Sequence, residues 1–544
     1  MEWWVVHFGP ACRIVPNHAS AENRDTHGKM RMNLRSRQQH SFRMRGNRSF
    51  PHQNARLPIG MSLASPIRQR RELYSQPATL FLSRLRKESF MKVTVIGAGY
   101  VGLVSAACFS DFGHEVTCVD RDERRVAMLE AGRMPIYEQG LEPIVTGNHR
   151  GGRLTFTRDL AGAVAAADVV LIAVGTPTRE GEDAADLSQV YAAAEDIAHA
   201  MRGFTVVVTK STVPVGTAAR LKAIIAKANP KGDFEVASNP EFMREGSAVE
   251  DFVQPDRVVL GVSSARAEAV LRQLYRPLTA RNVPLVVTSC EAAEVIKYAA
   301  NTFLAARIAF VNELADLCEK TGADIQEVAH GMGLDKRIGL QFLSPGPGYG
   351  GSCFPKDTLA LAHTARHHGS PFTIIETVIA ANEARKRTLA DRVQQALGGS
   401  LRAKKVALLG IAFKAETDDI RDAAALTLIP ELQRRGAVLS VFDPVAMNNG
   451  RQAFDEVRWC PDAYTAAVGA DAVVILTEWN VFRGLDLRRL ARDMREPLMI
   501  DFRNLFTRAD MVGTGLTYHS IGRASYSPLP SPKADVLSLE VEAA

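Results

Sequence analysis

Three glycines, Gly97, Gly99 and Gly102, stand in the spacing GxGxxG directly after the apolar run Lys-Val-Thr-Val-Ile at 92–96. An apolar-faced segment follows from Leu103 to Phe112, and then a second β-type run, Glu115 to Asp120, that closes on an acid. Strand, glycine turn, helix, strand and Asp within 29 residues specify a parallel βαβ unit built around a dinucleotide. Glycine permits the tight turn and lets the backbone approach a pyrophosphate, and the helix N-terminus faces the phosphates. Asp120 would accept hydrogen bonds from the adenosine ribose and repel a 2′-phosphate, so NAD is expected over NADP. Arg121, next in the chain, leaves NADP use open.

The pattern continues. Asp168–Val174 and Thr205–Thr209 read as strands, and each runs into a small polar motif, Gly175-Thr176-Pro177 and Lys210-Ser211-Thr212-Val213-Pro214. Ligands of parallel sheets lie outside the carboxyl ends of the strands, which places Thr176 and Thr212 on the cofactor side unless they are only turn residues. Phe234–Ala237 precedes Asn239-Pro-Glu-Phe-Met-Arg-Glu-Gly246, whose Glu241 and Glu245 fall at the same edge. Arg257–Gly261 is a further strand, and the domain closes near 285. Cys290 to Lys320 then has neither Pro nor Gly and is too apolar for a solvated helix, so it reads as a spine between domains and a subunit contact. Lys297 and Asn301, four apart, share one of its faces, with Glu294 three before Lys297. A surface amide and a rim charge with a buried stem are the alternatives for Asn301 and Lys297.

Phe342 to Asp357 reads FLSPGPGYGGSCFPKD. Four glycines and two prolines ahead of Cys353 exclude helix or strand there and deliver it on a shaped loop, with Lys356 and Asp357 following. A thiolate is a strong nucleophile, and a nearby cation is expected to lower its pKa; a buried cysteine in an ordinary turn is the alternative. Two helices, Thr358–His367 and Ile374–Leu397, follow. Lys405–Gly410 and Ala437–Asp443 then repeat the strand-to-glycine and strand-to-acid theme without the three-glycine fingerprint, and Asp471–Thr477 and Pro497–Asp501 add strands. This second half should bind a different part of a nucleotide, or none. Lys414 and Arg421 lie near the end of its first strand and suit sugar or phosphate contacts.

Charge divides the chain. Residues 1–90 hold 16 Lys or Arg against 5 Asp or Glu, and the other 454 hold 50 against 55. The basic balance therefore belongs to the front segment and is no nucleic-acid footprint for the whole. Seven cysteines without CxxC or metal-ligand spacing point to a reducing compartment and no structural metal. No apolar run is long enough to span a membrane. Residues 1–90 lack a packable period: an early start site, a disordered tail or a targeting segment would each account for them. A chain begun at Met91 is expected to fold and turn over like the full one, which solubility and activity of the two lengths would check. The end of the chain from about 521, with SPLPSPK, reads as disordered.

These parts define a chemistry. Oxidising an alcohol to an aldehyde needs no cysteine, but a cysteine is useful for taking the aldehyde further: a thiolate adds to it, the thiohemiacetal gives up a second hydride, and the thioester is hydrolysed. The developing oxyanion needs a cation and a neutral donor, jobs that Lys297 and Asn301 fit, while Asp357 or Glu241 could orient water. The chain resembles the UDP-glucose/GDP-mannose dehydrogenase family of nucleotide-sugar dehydrogenases from Met91 to about Tyr518. The resemblance rests on MKVTVIGAGYVGLVSAACFSDFGHEVTCVD, AVGTP, KSTVPVGT, NPEFMREGSAVEDFVQPDRVVLG, EVIKYAANTFLAARIAFVNE, GYGGSCFPKD, FKAETDDIRDA and the late TEW and DFRN.

The resemblance implies an α/β chain of two Rossmann-like doubly wound domains joined by a long central helix and a helical dimerisation region. The expected division is an extension at 1–90, an NAD-binding domain at 91–285, a central region at 286–400, a UDP-sugar domain at 401–520 and a tail at 521–544. It implies Cys353 as nucleophile, Lys297 and Asn301 at the oxyanion, and Glu241, Thr212 and Asp357 for water and protons. NAD would be held by Gly97, Gly99, Tyr100, Val101, Gly102, Asp120, Arg125, Thr176, Thr212, Lys356 and Arg421. The sugar nucleotide would meet Glu241, Phe242, Glu245, Lys297, Asn301, Arg337, Phe342, Gly350, Phe413 and Lys414, with Arg337 acting across a dimer interface. The implied reaction is a four-electron oxidation of UDP-glucose to UDP-glucuronate by a cytoplasmic homodimer or higher oligomer. GDP-mannose or UDP-N-acetylmannosamine as substrate is the alternative, and a non-catalytic Rossmann protein the alternative of another class. Two departures from the family pattern are Glu138-Gln-Gly-Leu141, where the family usually reads EPGL, and Ala415 after Lys414.

Overall fold

Alternation of short apolar runs with amphipathic segments resolves into two sheets, the second parallel and the first parallel but for one antiparallel pairing, linked by long helices. The computed structural model describes residues 90–528, which lie in one compact unit, Lys87–Ala544. The expectations for residues 1–89, and for the chain after 528, fall outside the described residues. The first sheet holds β1 (Lys92–Ile96), β2 (Glu115–Val119), β3 (Leu154–Thr157), β4 (Val169–Ile172), β5 (Thr205–Thr209), β6 (Phe234–Ser238), β7 (Val258–Val262) and β8 (Leu285–Thr288), in the order 3-2-1-4-5-6-7-8. The second holds β9 (Lys405–Leu409), β10 (Val438–Phe442), β11 (Val457–Trp459), β12 (Ala472–Ile475), β13 (Leu498–Asp501) and β14 (Thr517–Ser520), in the order 11-10-9-12-13-14.

Strands β1, β4, β5, β9 and β12 are buried along nearly their whole length, as sheets covered on both faces require. Both sheets have the doubly wound order, whose switch point opens a crevice at the carboxyl ends, between β1 and β4 and between β9 and β12. The expected fold class, two Rossmann-like domains joined by long helices, is what the structure has. Three strands had too little signal in the sequence: β3, β11 and β14 are three or four residues long. The first sheet also extends past 285, because β8 pairs in parallel with β7, and β7 runs antiparallel to β6.

Within the first domain α1 (Tyr100–Asp111) leaves the glycine turn and α2 (Thr217–Ala228) follows β5, and between the two sheets in the chain come α3 (Cys290–Thr321), α4 (Phe354–His367) and α5 (Thr373–Ala396). Helix α3 spans 32 residues, starting on a Ser289 cap to Ala292 N–H and ending at Gly322 in the left-handed region, φ +81. The chain just after 521, expected to be disordered, is ordered as far as it is described. Ile521 and Arg523 are buried, Ile325 N–H donates to Gly522 O, and Tyr526 bridges to Tyr518. The segment pairs through its backbone and so needs little apolar content of its own to stay in place.

Candidate active site

The glycine turn has the geometry its spacing demands. Gly97 lies at φ +103, and a Cβ there would stand 2.7 Å from Ala173 O; a Cβ on Gly102 would stand 1.8 Å from Gly97 O. Nothing lies within 4 Å of the Cβ position of Gly99, so one face of the turn is open. Asp120 Oδ2 accepts from Ala98 N–H at 2.7 Å and pairs with Arg125 at 2.9 Å. Burial pushes its carboxyl up, but these bonds and that of Asp122 N–H outweigh it, and the net direction is down. Arg121 instead pairs outward with Asp196. A turn closed to side chains, a helix N-terminus and an ionised acid at the end of β2 fit a dinucleotide with a free ribose diol. Val101 lies in the first turn of α1, while Thr176 and Thr212 follow β4 and β5 as expected.

Tyr100 does more than continue that turn. Its hydroxyl bonds Glu138 Oε2, and Gly246 N–H and Ala248 N–H donate to the two Glu138 oxygens at 2.7 and 2.8 Å. Glu138 thereby anchors the loop that carries Glu241 and Glu245.

Lys297 and Asn301, one turn apart on α3, are both buried and face the first turn of α4, so neither is a rim charge or surface amide. Lys297 Nζ stands 3.1 Å from Glu241 Oε1 and 5.3 Å from the centre of the Phe242 ring. Asn301 Nδ2 donates to Asp357 Oδ2 at 2.6 Å, and Lys356 Nζ to Asp357 Oδ1 at 2.5 Å. Burial pushes Lys297 down, yet Glu241, Cys353 and Asp357 together outweigh it, and its ammonium is held above the ordinary value. Glu294 is not part of this set: its carboxylate caps α2 through Gly216 N–H and Ala218 N–H, and burial pushes it up to about 7.

Cys353 is the N-cap of α4. Of six cysteines in the described residues it alone is not buried outright. Its expected low pKa is overturned. Burial raises the thiol first, and although Lys297 and Lys356 pull it down, Glu241 and Asp357 add to burial and the net direction is up. The sequence displays the neighbouring lysine but not the two buried carboxylates that reach the sulfur through space.

The loop before Cys353 is suspended from three places. Asn312 Oδ1 of α3 accepts from Gly346 N–H, and Arg385 of α5 donates to Gly346 O. Asn382 of α5 takes Tyr349 N–H and donates back to Tyr349 O. From the second sheet's side, Arg421 O accepts from Gly351 N–H at 2.8 Å. Cβ atoms on Gly350 and Gly351 would lie 2.4 Å from Asp422 O and 2.7 Å from the Phe413 ring. Asn312, Asn382 and Arg385 were not singled out in the sequence; the available signal was polar side chains on the faces of helices that bury their neighbours.

Glu245 ties the three regions together. Ser352 Oγ donates to it at 2.8 Å and lies 3.5 Å from Cys353 Sγ, Thr417 Oγ1 donates at 3.2 Å, and Lys414 Nζ donates to its backbone oxygen. Arg421 stands 3.7 Å away and pairs mainly with Asp419. Burial, then Asp419, pushes the Glu245 carboxyl up. Two predicted residues lie apart from this set. Arg337 is 89% exposed and paired with Asp335, and Phe342, at φ +59, stacks near Phe354 at 6.2 Å. Among the described residues no cluster of His, Cys, Asp or Glu has the form of a metal site, and no helix is long and apolar enough to cross a membrane.

Known proteins share this arrangement. Family models match at 91–279 (UDP-glucose/GDP-mannose dehydrogenase family, NAD binding domain), 291–384 (central domain) and 407–508 (UDP binding domain). A UDP-glucose 6-dehydrogenase of Rhizobium meliloti is 54% identical over 435 residues, 80% of this chain and 100% of that protein. The Bacillus subtilis UDP-glucose 6-dehydrogenase TuaD is 46% identical over 79% of this chain and 93% of its own length. Among solved structures, a UDP-glucose dehydrogenase from Pyrobaculum islandicum superposes with TM-score 0.75 at 38% identity, covering 81% of this chain and 99% of that one. With three consecutive domain models matched and relatives covered end to end, the chain belongs to the UDP-glucose/GDP-mannose dehydrogenase family.

Proposed function

We propose that this protein oxidises the C6 alcohol of UDP-glucose to the carboxylate of UDP-glucuronate, in two hydride transfers to two NAD with one water consumed. One observation carries the reading: Cys353, Lys297, Asn301, Asp357 and Glu241 form a single half-buried to buried cluster at the carboxyl edge of the dinucleotide sheet. NAD, when bound, supplies the hydride acceptor for both steps. Lys297, held protonated, offers its charge to the alkoxide and then to the thiohemiacetal oxygen, and Asn301 Nδ2 offers the neutral donor. Cys353 bonds the aldehyde carbon while its thiol proton passes to the aldehyde oxygen, giving the thiohemiacetal hydroxyl; that proton is released to water as the second hydride leaves, and Cys353 departs as thiolate when water attacks the thioester. Asp357, Glu241 and Thr212 would orient that water. Lys414, Phe413, Phe242, Glu245 and Gly350 would face the sugar nucleotide, and Lys356 and Arg421 the cofactor.

The identity of the relatives supports UDP-glucose over GDP-mannose or UDP-N-acetylmannosamine. Turnover of the three nucleotide sugars, counting NADH per sugar, tests this. Two NADH per UDP-glucose is expected; one NADH per sugar, or a higher kcat/KM with another sugar, would overturn it. Asp120→Ala is expected to lower kcat/KM for NAD about tenfold or more, the scale of a lost charged hydrogen bond, and to narrow the preference over NADP. A wild-type preference for NADP would contradict the role of Asp120.

The same reading includes a homo-oligomer. Phe303, Phe310 and Leu317 recur every seven residues along α3 and are 65%, 55% and 54% exposed, an apolar stripe that a second copy would cover. Arg307, between them, donates to Ile338 O and Gly339 O and so holds the Arg337 loop beside the stripe. That supports Arg337 reaching the partner's site. Phe310→Glu is expected to yield monomers by sedimentation, with reduced turnover; an unchanged mass would argue against this face. Free cysteines and a pyridine-nucleotide acceptor support a cytoplasmic setting.

A further inference from the structure

Lys210, the first residue after β5, has no part in the chemistry described so far. It is 4% exposed, with its ammonium between the rings of Phe252 and Tyr275, 5.7 and 5.8 Å from their centres. It donates to Asn239 Oδ1 at 3.0 Å and to the Tyr275 hydroxyl at 3.2 Å, and the Tyr275 hydroxyl itself donates to Asn239 Oδ1. Both partners are neutral. A buried cation without a bonded counter-ion is costly and is kept only where something uses it. Asn239 is fixed on its other sides, by N–H to Thr209 O and by Nδ2 to Val259 O. Two residues later comes Glu241, which holds Lys297 and takes Met243 N–H on its other oxygen. Burial pushes Lys210 down to about 8, with Glu241 pulling it up and Lys297 down, so all three charges interact.

We propose that Lys210 is a positioning residue for the oxidation: its ammonium pins the Asn239-Pro240-Glu241 turn through Asn239 and adds a second positive charge to the field at Glu241, leaving the charge of Lys297 available to the oxyanion. Lys297 pairs with that carboxylate directly, and Lys210 acts on it along the turn and from beyond ion-pair distance. This rests on the roles proposed above for Glu241 and Lys297.

The full-length Lys210→Met and Lys210→Gln variants test it. With UDP-glucose and NAD, kcat is expected to fall about 30-fold or more while KM and NAD affinity stay within about threefold. Lys297 is faced by Glu241, Cys353 and Asp357 as well as Lys210, and loss of the one repelling neighbour moves its alkaline limb of the kcat–pH profile upward. A lysine that only filled space would change melting temperature and leave that limb in place. If Lys210→Met does not fold, Lys210→Gln, which can still donate to Asn239, decides. Wild-type kcat, an unshifted limb or failure of the Gln variant to fold would each overturn the proposal. Cys353→Ala, run alongside, separates this outcome from failure of the underlying reading, because two NADH per sugar in that variant would condemn the covalent route itself.

Discussion

Cys353→Ala is expected to cut formation of the acid about 1,000-fold or more while leaving NAD affinity within about threefold. Without sulfur there is no thiohemiacetal, and the second hydride has no donor. The fold should hardly register the change. Cys353 caps α4 without a side-chain hydrogen bond, and the Asn301–Asp357–Lys356 set does not pass through it. Quantifying the acid by chromatography and NADH by absorbance, with a denaturation curve as control, makes the comparison. Two NADH per sugar at the wild-type rate would sink the covalent mechanism. Cys353→Ser is expected to stall as a slow ester, since an alkoxide departs less readily than a thiolate. The raised thiol gives a companion result in the free enzyme: alkylation by iodoacetamide should climb with pH to a midpoint above the ordinary 9.0.

Gly350→Ala is the second large effect. The added carbon would lie 2.4 Å from Asp422 O and 2.9 Å from Asp422 C, both backbone atoms that no rotamer change can clear. The loop would have to lift from the second sheet's domain and break the Gly351 N–H to Arg421 O bond. Overpacking of this kind costs about 1–3 kcal/mol, and an ångström of misplacement at a nucleophile costs about 100-fold in kcat/KM. Gly346→Ala is the contrast, because its nearest obstacle is the flexible end of Arg503 at 3.3 Å. Denaturant midpoints and kcat/KM for the pair check this, and a Gly350→Ala enzyme indistinguishable from wild type would refute the account of the loop.

Much of this was legible in the chain. GxGxxG with Asp120 fixed the first βαβ unit, and the four-residue spacing of Lys297 and Asn301 put them on one face because helix geometry requires it. What stayed hidden was whatever depends on approach between distant segments. No local pattern says that Glu241 will lie on Lys297, that Glu138 will hold Gly246, or that burial, joined by two carboxylates, will outweigh two lysines at Cys353. Strands of three or four residues, such as β11, carry too few side chains for a period to emerge. Arg337 stays apart from the set in a single chain, exposed and paired with Asp335.

The two halves also solve one problem twice. At the end of β2, Asp120 ties back the glycine turn; at the end of β10, Asp443 does the same through Ile411 N–H and Ala412 N–H. Asp168 and Asp471 likewise each receive the first N–H of β1 and of β9. The two differ in spare capacity. Asp443 is fully buried and also serves Val445, Ala446 and the Trp479 indole, so no lone pair is left for a ribose. Introducing three glycines into the second half would therefore not make it a second cofactor domain. An engineer would first have to relieve Asp443 of its internal duties, starting with Trp479, and accept the loosening of a turn that those bonds hold together.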